Sequence, residues 1–124
     1  MSFFSKIIKW IPLGRVNEVT SLALTEKLGS GDVQIIDVRT TAEWKLSAIE
    51  GSINLPITSF NKSTIDALNL DKKKLTVAIC LSAHRSIPAV RVLKEFGFDN
   101  TAQLKGGMKS WWSLKLPTQK SEKN

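Results

Sequence analysis

The only cysteine of the chain, Cys80, is followed by the sequence Leu-Ser-Ala-His-Arg-Ser, which brings the only histidine and an arginine close to the thiol. The thiolate is the nucleophilic form of cysteine, so chemistry at Cys80 requires groups that stabilise a negative sulfur. A tight loop can direct backbone N–H groups inward as a nest for an anion. The positive end of a following helix, Arg85 and protonated His84 would act in the same direction. This combination predicts a reactive Cys80 and disfavours the alternative role, a small buried hydrophobic residue.

The segments around Cys80 alternate between strand and helix patterns. Short apolar runs predict strands at VQIIDV, GSINLP, LTVAIC and TAQLKG. Periodic apolar residues predict helices at 18–28 (capped by Asn17), TTAEWKLSA (capped by Thr40 or Thr41), SFNKSTIDALNL, SIPAVRVLKEFGF (ending at Gly97) and GGMKSWWSL. The alternation predicts an α/β fold, a mostly parallel sheet of about four or five strands with helices on both faces. Ligands of such sheets bind outside the carboxyl ends of the strands, where Cys80 lies.

The composition limits the function classes. The chain has 124 residues and a net charge of +7, but its lysines are spread along the sequence without a basic stripe interleaved with aromatic residues. We therefore expect no nucleic-acid partner and favour small anions, with an acidic protein as the alternative partner. One cysteine cannot form an internal disulfide, which favours a reducing, cytoplasmic location.

The two ends of the chain differ from its centre. Residues 1–15 are predicted to form a hydrophobic and basic arm, and residues 117–124 a disordered tail. The apolar residues of the arm fall near helical spacing with lysines between them, so membrane, partner and domain docking all stay open. We favour packing on the domain over peripheral membrane contact by residues 1–12. No apolar segment approaches the roughly 20 residues needed to span a bilayer.

Three motifs together resemble the single-domain rhodanese-like sulfurtransferases. The loop from Cys80 resembles the family's Cys-x-x-Gly-x-Arg-Ser pattern, with Cys80, Arg85 and Ser86 in register. The segment DVRTTAEWKLSAIEGSINLP is similar to a second family motif, with matches at Asp37, Arg39, Glu43, Gly51, Asn54 and Pro56. LKGGMKSWW is similar to the closing motif, with matches at Gly106, Gly107 and Trp111. The resemblance runs from about Val16 to Leu116, so we expect residues 16–116 to form a rhodanese-like domain.

The resemblance implies a sulfurtransferase in which Cys80 carries sulfur as a persulfide. Thiosulfate or another persulfide-type donor would load the sulfur, and a thiol or cyanide would accept it, without a metal or organic cofactor. Asp37, Arg39 and Glu43 would support the loop, although Glu43 could instead belong to an exposed helical ion pair of little energetic value. The implied anion-binding loop comprises Leu81, Ser82, Ala83, His84, Arg85 and Ser86. The alternative function is a sulfur-relay or docking module with little thiosulfate activity of its own.

The spacing within the loop argues against a phosphatase, another enzyme class with a cysteine in an anion-binding loop. Phosphatases have a longer spacing between cysteine and arginine, whereas here only Leu81–His84 intervene. The shorter loop suits a sulfur atom better than a phosphate. For His84 we favour a position at the rim of the loop, where it tunes the charge, over the role of general base.

Three positions depart from the family pattern. Leu81 stands where many relatives carry arginine, which predicts weaker binding of a sulfonate. Ala83 replaces a loop glycine, and because alanine tolerates positive φ poorly, we expect a tighter or rearranged loop. Ala48 stands where a histidine is common in the family. None of these changes removes the nucleophile, but together they count against thiosulfate as the physiological donor.

Overall fold

A computed structural model describes residues 10–12 and 14–121 of the chain. The described residues form the strands β1 (Glu18–Val19), β2 (Val33–Asp37), β3 (Ile53–Asn54), β4 (Leu75–Ile79) and β5 (Thr101–Leu104). The helices are α1 (Ser21–Leu28), α2 (Thr41–Leu46), α3 (Lys62–Ala67), α4 (Ser86–Glu95) and α5 (Gly107–Ser113), and a short 3-10 helix spans Ile57–Ser59.

The strands form one five-stranded sheet in the order β1-β5-β4-β2-β3. All four pairings are parallel, so the predicted α/β fold with a parallel sheet is confirmed. Strand β4 is central, and the end of β2 is in register with it through the pair Asp37 and Ile79. Because parallel strands point the same way, the loops after β2, β4 and β5 emerge at one edge of the sheet, where Cys80 also lies.

The core lies on both faces of the sheet, which explains why β2 and β4 are almost wholly apolar. Ile36 and Ala78 belong to a cluster that includes residues of α3 and α4. Their neighbours Ile35 and Val77 belong to the cluster of α1 and α5 on the other face. This alternation follows from the two-residue repeat of a strand. Two packed faces hold β4, and therefore Cys80, in the centre of the domain.

The first helix begins later than the sequence predicts, and the prediction that Asn17 caps it is wrong. Helix α1 begins at Ser21, and the Thr20 side chain accepts a hydrogen bond from the N–H of Ala23. The Asn17 carbonyl instead accepts a hydrogen bond from the Gln103 N–H (2.8 Å), and its side chain donates to the Thr101 carbonyl. Residues 18 and 19 therefore form the edge strand β1 beside β5, because sheet pairing across the chain outweighs the local helical pattern.

The C-terminal segment is ordered further than expected. We predicted a disordered tail from residue 117, but Gln119 and Ala48 exchange two backbone hydrogen bonds of 2.8 and 3.0 Å. The Pro117 carbonyl accepts a hydrogen bond from Nε1 of the buried Trp111. These partners satisfy backbone groups and the indole, which fixes residues 117–121 against the domain. Residues 122–124 lie outside the described part of the chain.

Most of the predicted N-terminal arm, residues 1–9 and 13, lies outside the described residues. Of the described part, Trp10 and Ile11 are exposed by 40% and 38%. The Ile11 carbonyl accepts a hydrogen bond from Nη1 of Arg91 on α4 (2.9 Å), so the chain touches the domain at this point. Within residues 10–12 and 14–121, no helix is long and apolar enough to cross a membrane.

Candidate functional site

The Cys80 sulfur lies at the bottom of the loop between β4 and α4. The side chain is only 2% exposed. The backbone N–H of His84 donates a hydrogen bond to Sγ (3.1 Å), and Oγ of the buried Ser86 lies 3.4 Å from Sγ. The residues from Cys80 to Ser86 therefore fold back around their own sulfur. A backbone donor directed at sulfur stabilises a negative charge there.

Helix α5 fixes the first peptides of the loop. The N–H groups of Met108 and Lys109 donate to the carbonyls of Cys80 (2.9 Å) and Leu81 (3.0 Å). In a trans peptide the carbonyl and the following N–H point in opposite directions, so the next two N–H groups of the loop are turned away from α5. Neither of these two N–H groups has a hydrogen-bond acceptor among the described residues.

The close approach of α5 to the loop requires glycine at position 107. Gly107 has φ +60°, and a Cβ at this position would lie 2.5 Å from the Cys80 carbonyl oxygen and 2.6 Å from the Leu81 carbonyl carbon. Both neighbours are backbone atoms that cannot rotate away. The glycine of the closing motif therefore permits the two hydrogen bonds that orient the loop.

Ala83 occupies the loop position where the family pattern has glycine. It adopts φ +66°, in the left-handed region that an alanine side chain disfavours. The loop thus keeps a positive φ despite the Cβ, and the local strain is carried by the surrounding contacts. The neighbouring His84 ring is exposed, and its Nδ1 lies 3.1 Å from Ser82 Oγ. His84 therefore contacts sulfur through its backbone, while its ring lies at the rim of the loop.

Arg85 is turned toward Glu43 of α2 in a two-pronged ion pair. Its Nη1 and Nη2 donate to Oε1 (2.9 Å) and Oε2 (3.1 Å) of Glu43. The hydrogen bond from Arg85 is the main reason that the pKa of Glu43 falls from 4.5 to about 2, and the same contact raises the pKa of Arg85. The positive charge we expected beside sulfur is thus largely matched by a carboxylate. Glu43 reaches a residue 42 positions away, so it is not part of a local helical ion pair.

Arg39 and Asp37 form a second, fully buried ion pair, at 1% and 0% exposure. Arg39 Nε and Nη2 contact the Asp37 carboxylate at 2.7–3.1 Å, and Nη2 also donates to the Ser47 carbonyl (2.7 Å). The guanidinium lies 5.8 Å from the centre of the Trp112 ring. The pair ties the end of β2 to the end of α2, and α2 in turn carries Glu43 to the loop. The three residues implied as supports of the loop, Arg39, Asp37 and Glu43, therefore belong to two separate ion pairs.

Two residues of the site escaped the sequence analysis as functional candidates. The Asn54 side chain donates to the carbonyls of Asp37 (3.1 Å) and Arg39 (3.0 Å), which fixes the turn after β2. Gln103 of β5 accepts a hydrogen bond from Ser86 Oγ at 2.6 Å. Asn54 was visible as a motif match. For Gln103 the only signal was a polar residue within a short strand, which is weak by itself.

The described residues contain no group of three or more His, Cys, Asp or Glu side chains that could hold a metal ion. Leu81 is partly buried, with its carbonyl bound to the Lys109 N–H. The site therefore consists of one sulfur, backbone N–H groups, hydroxyls and two supporting ion pairs. This arrangement can hold a nucleophilic sulfur anion and stabilise a small anion bound beside it.

The Glu43–Arg85 pair predicts a pH-dependent loss of stability. Because the folded pKa of about 2 lies below the unfolded value of 4.5, the ionised carboxylate stabilises the fold above pH 4.5, and this contribution disappears as the pH falls through about 2. Both side chains are about one-third exposed, so we expect Glu43→Gln to cost only about 1 kcal/mol at pH 7. Glutamine keeps an acceptor for the Thr40 N–H, and the variant therefore isolates the charge.

Chemical denaturation of wild type and Glu43→Gln between pH 7 and pH 2 measures this effect. The difference in unfolding free energy should be constant down to pH 4.5 and vanish near pH 2. Glu26→Gln, which removes an exposed carboxylate of α1, is the matched control for net charge. A Glu43→Gln deficit that stays constant to the lowest pH would contradict the prediction.

The backbone of Ala83 predicts an unusual response to glycine. Ala83→Gly should relieve a left-handed conformation that costs an alanine roughly 1–2 kcal/mol, offset by about 0.4–1 kcal/mol of added unfolded-state entropy. We expect the unfolding free energy to stay level or rise by about 1 kcal/mol. The control Ala42→Gly, on the exposed face of α2, should lower it by roughly 0.5–1 kcal/mol. Equal losses in the two variants, measured by denaturant unfolding, would show that Ala83 is unstrained.

Comparison with known proteins identifies the family. The model of the rhodanese-like domain matches residues 20–114. A sulfurtransferase of Allochromatium vinosum is 31% identical over 103 residues, covering 82% of this chain and 94% of the relative. The adenylyltransferase and sulfurtransferase UBA4 of Meyerozyma guilliermondii is 30% identical over 89 residues, 68% of this chain but only 21% of that protein.

The fold agrees with these matches. The crystal structure of a rhodanese-related protein from Thermoplasma volcanium superposes with a TM-score of 0.72 at 28% identity, over 84% of this chain and 98% of that one. The cysteine loop, the glycine contact from α5 and the two ion pairs are built on the same parallel sheet that this similarity covers. With a family model matching most of its length and relatives named as sulfurtransferases, this chain belongs to the rhodanese-like domain family.

Proposed function

We propose that the protein is a sulfurtransferase that carries sulfane sulfur as a persulfide on Cys80, between thiosulfate or another persulfide donor and a thiol or cyanide acceptor. The observation that carries the proposal is the hydrogen bond from the His84 N–H to Cys80 Sγ (3.1 Å), within a loop whose preceding carbonyls are held by α5. Membership of a family with sulfurtransferase-named relatives supports the same chemistry.

The sulfur transfer takes place in two balanced displacements. The Cys80 thiolate attacks the outer sulfur of thiosulfate, an S–S bond forms at Cys80, and sulfite leaves with the electron pair of the broken bond. A thiolate acceptor then attacks the outer sulfur of the persulfide, and Cys80 leaves as the thiolate; cyanide gives thiocyanate in the same way. Each step begins and ends with an anion on Cys80, first the thiolate and then the persulfide or the reverse, which suits a site that supplies backbone N–H donors.

In this proposal the residues of the two ion pairs have structural roles. The Glu43–Arg85 pair connects α2 to the loop, and the buried Arg39–Asp37 pair holds the base of α2. Neither pair donates directly to sulfur, so both act by fixing the loop backbone. His84 contributes its N–H, while its ring, beside Ser82, contacts solvent at the rim. Breaking the buried pair by removing one partner would be costly, because it would leave an unpaired buried charge.

Mass spectrometry of the intact protein tests sulfur loading. Incubation with thiosulfate or a low-molecular-weight persulfide should add about 32 Da, the mass of one sulfur, and cyanide should remove it. Cys80→Ser should abolish the adduct and any turnover while the circular dichroism spectrum stays unchanged. Since Cys80 is the only cysteine, an adduct that persists in the serine variant would refute the assignment.

A relay function remains the second candidate, and Leu81 favours it. A leucine at the start of the loop offers no charge to a sulfonate, whereas it suits contact with a protein donor. Leu46 of the neighbouring α2 is 67% exposed and Trp112 is 38% exposed, so apolar surface is present on the elements that support the loop. The relative UBA4 is a longer chain that is named for two activities, adenylyltransferase and sulfurtransferase. This name is consistent with a rhodanese-like domain that exchanges sulfur with a protein partner.

The variant Leu81→Arg separates the two candidates. A guanidinium at this position should increase turnover at low thiosulfate concentration, because it offers charge-assisted hydrogen bonds to the sulfonate oxygens. A polysulfide donor without a sulfonate should gain little from the change. Leu46→Arg adds the same charge on α2 and serves as the control. If thiosulfate kinetics are the same in wild type and Leu81→Arg, Leu81 is better explained as a docking surface and the relay function is favoured.

A further inference from the structure

A chain of three hydrogen bonds runs from the sulfur to the edge of the sheet. Cys80 Sγ lies 3.4 Å from Ser86 Oγ, which donates to Oε1 of Gln103 at 2.6 Å. Nε2 of Gln103 donates to Oε2 of Glu18 at 3.0 Å. Cys80, Ser86 and Gln103 are buried at 2%, 0% and 4% exposure, while Glu18 is exposed on the edge strand β1.

The sheet register places these side chains in line. Glu18 of β1 is paired with Gln103 of β5, and Gln103 is paired with Ala78 of β4. Residues two apart along a strand share a face, so Ala78 and Cys80 are directed to the same side as Gln103. Ser86, the first residue of α4, contacts both Gln103 and Cys80. The chain of contacts therefore follows from strand pairing rather than from the local sequence.

The direction of each hydrogen bond is fixed from the Glu18 end. A carboxylate only accepts, so it selects the orientation of the Gln103 amide in which Nε2 faces Glu18. Oε1 then faces Ser86, and an amide oxygen can only accept. The Ser86 hydroxyl therefore donates its hydrogen to Gln103, and a lone pair of Oγ is directed toward Cys80 Sγ. In this arrangement Ser86 can accept a hydrogen bond from the thiol but cannot donate one to the thiolate.

We propose that Gln103, oriented by Glu18, is a positioning residue that restrains Cys80 by holding the Ser86 hydroxyl away from sulfur. Ionisation of Cys80 favours rotation of the hydroxyl toward the anion, which breaks its 2.6 Å bond to Gln103. The buried Gln103 oxygen then loses its donor, and an unsatisfied buried acceptor is costly. The His84 N–H favours the thiolate, whereas the Ser86–Gln103 pair favours the thiol. The consequence of this balance between thiol and thiolate for sulfur transfer rests on the function proposed above. The balance itself is independent of that function.

The rate of alkylation of Cys80 by iodoacetamide in the full-length protein tests the proposal. Gln103→Met keeps the length of the side chain and removes the acceptor, which frees the Ser86 hydroxyl to donate to sulfur. The rate at about pH 6.5 should rise at least about tenfold, the lower bound for a hydrogen bond to a charged group. At about pH 9, where more of the thiol is ionised in both proteins, the difference should shrink to less than about twofold. A change in loop packing or access would instead alter the rate equally at both pH values.

A double variant tests whether the Ser86 hydroxyl causes the rise in alkylation rate. Ser86→Ala should remove the gain, so Ser86→Ala/Gln103→Met should react at the same rate as Ser86→Ala. Glu18→Ala, an exposed change that should leave the fold intact, should raise the rate at about pH 6.5 because the Gln103 amide becomes free to rotate. Glu26→Ala on α1 is the control for loss of a carboxylate. Together the variants form a double-mutant cycle for the contact between Ser86 and Gln103.

Several outcomes would overturn the proposal. Unchanged rates in both Gln103→Met and Glu18→Ala would do so, as would an equal gain at both pH values or a gain that persists without Ser86. The assay uses no sulfur donor, so it is independent of persulfide formation. A protein that shows the predicted alkylation pattern but gains no sulfur would refute the proposed function and leave the role of Gln103 intact. A protein that gains sulfur without the pattern would do the opposite.

Discussion

The contact between helix α5 and the first two peptides of the cysteine loop is the constraint on which the site depends. Two N–H groups, from Met108 and Lys109, bind the carbonyls of Cys80 and Leu81, and Gly107 allows this approach because it has no Cβ. With their carbonyls held by α5, the peptides present their N–H groups on the other side. A loop without this contact would be free to direct carbonyl oxygens toward the sulfur and would repel an anion.

Charge supports the loop from outside, whereas hydrogen bonding acts on the sulfur directly. The guanidinium of Arg85 is occupied by Glu43, and that of Arg39 by Asp37, so each cation has a matched carboxylate. Within the described residues, the groups that hydrogen-bond with Sγ are the His84 N–H and the Ser86 hydroxyl. Backbone donors are fixed by the fold and need no reorganisation when charge appears, which is the property that a nucleophilic or persulfide anion requires.

The parallel sheet brings together groups that are far apart in sequence. Asp37 at the end of β2, Cys80 after β4 and Gln103 in β5 lie on or next to three neighbouring strands because these strands share direction and register. The edge strand β1 adds Glu18 beside Gln103, which connects the buried sulfur to an exposed carboxylate. The sheet thus does more than hold the loop in place, since its register also determines which polar side chains lie behind the sulfur.

The sequence by itself determined the α/β fold and predicted a reactive cysteine in a loop at a strand end, since apolar runs, periodic helices and a cysteine after an apolar run are local signals. It also predicted that Glu43, Arg39 and Asp37 support the loop, but it could not say which groups pair. Local signals placed the start of α1 at residue 18 and the start of a disordered tail at residue 117. Both positions are too early, because β1 and the contact between Gln119 and Ala48 exist only through strand pairing across the domain. Only the tertiary structure decided that Arg85 is bound to Glu43, that Ala83 keeps a left-handed backbone and that Gln103 lies behind Ser86. Each of these depends on atoms brought together from distant parts of the chain, and no local pattern of residues encodes such a distance.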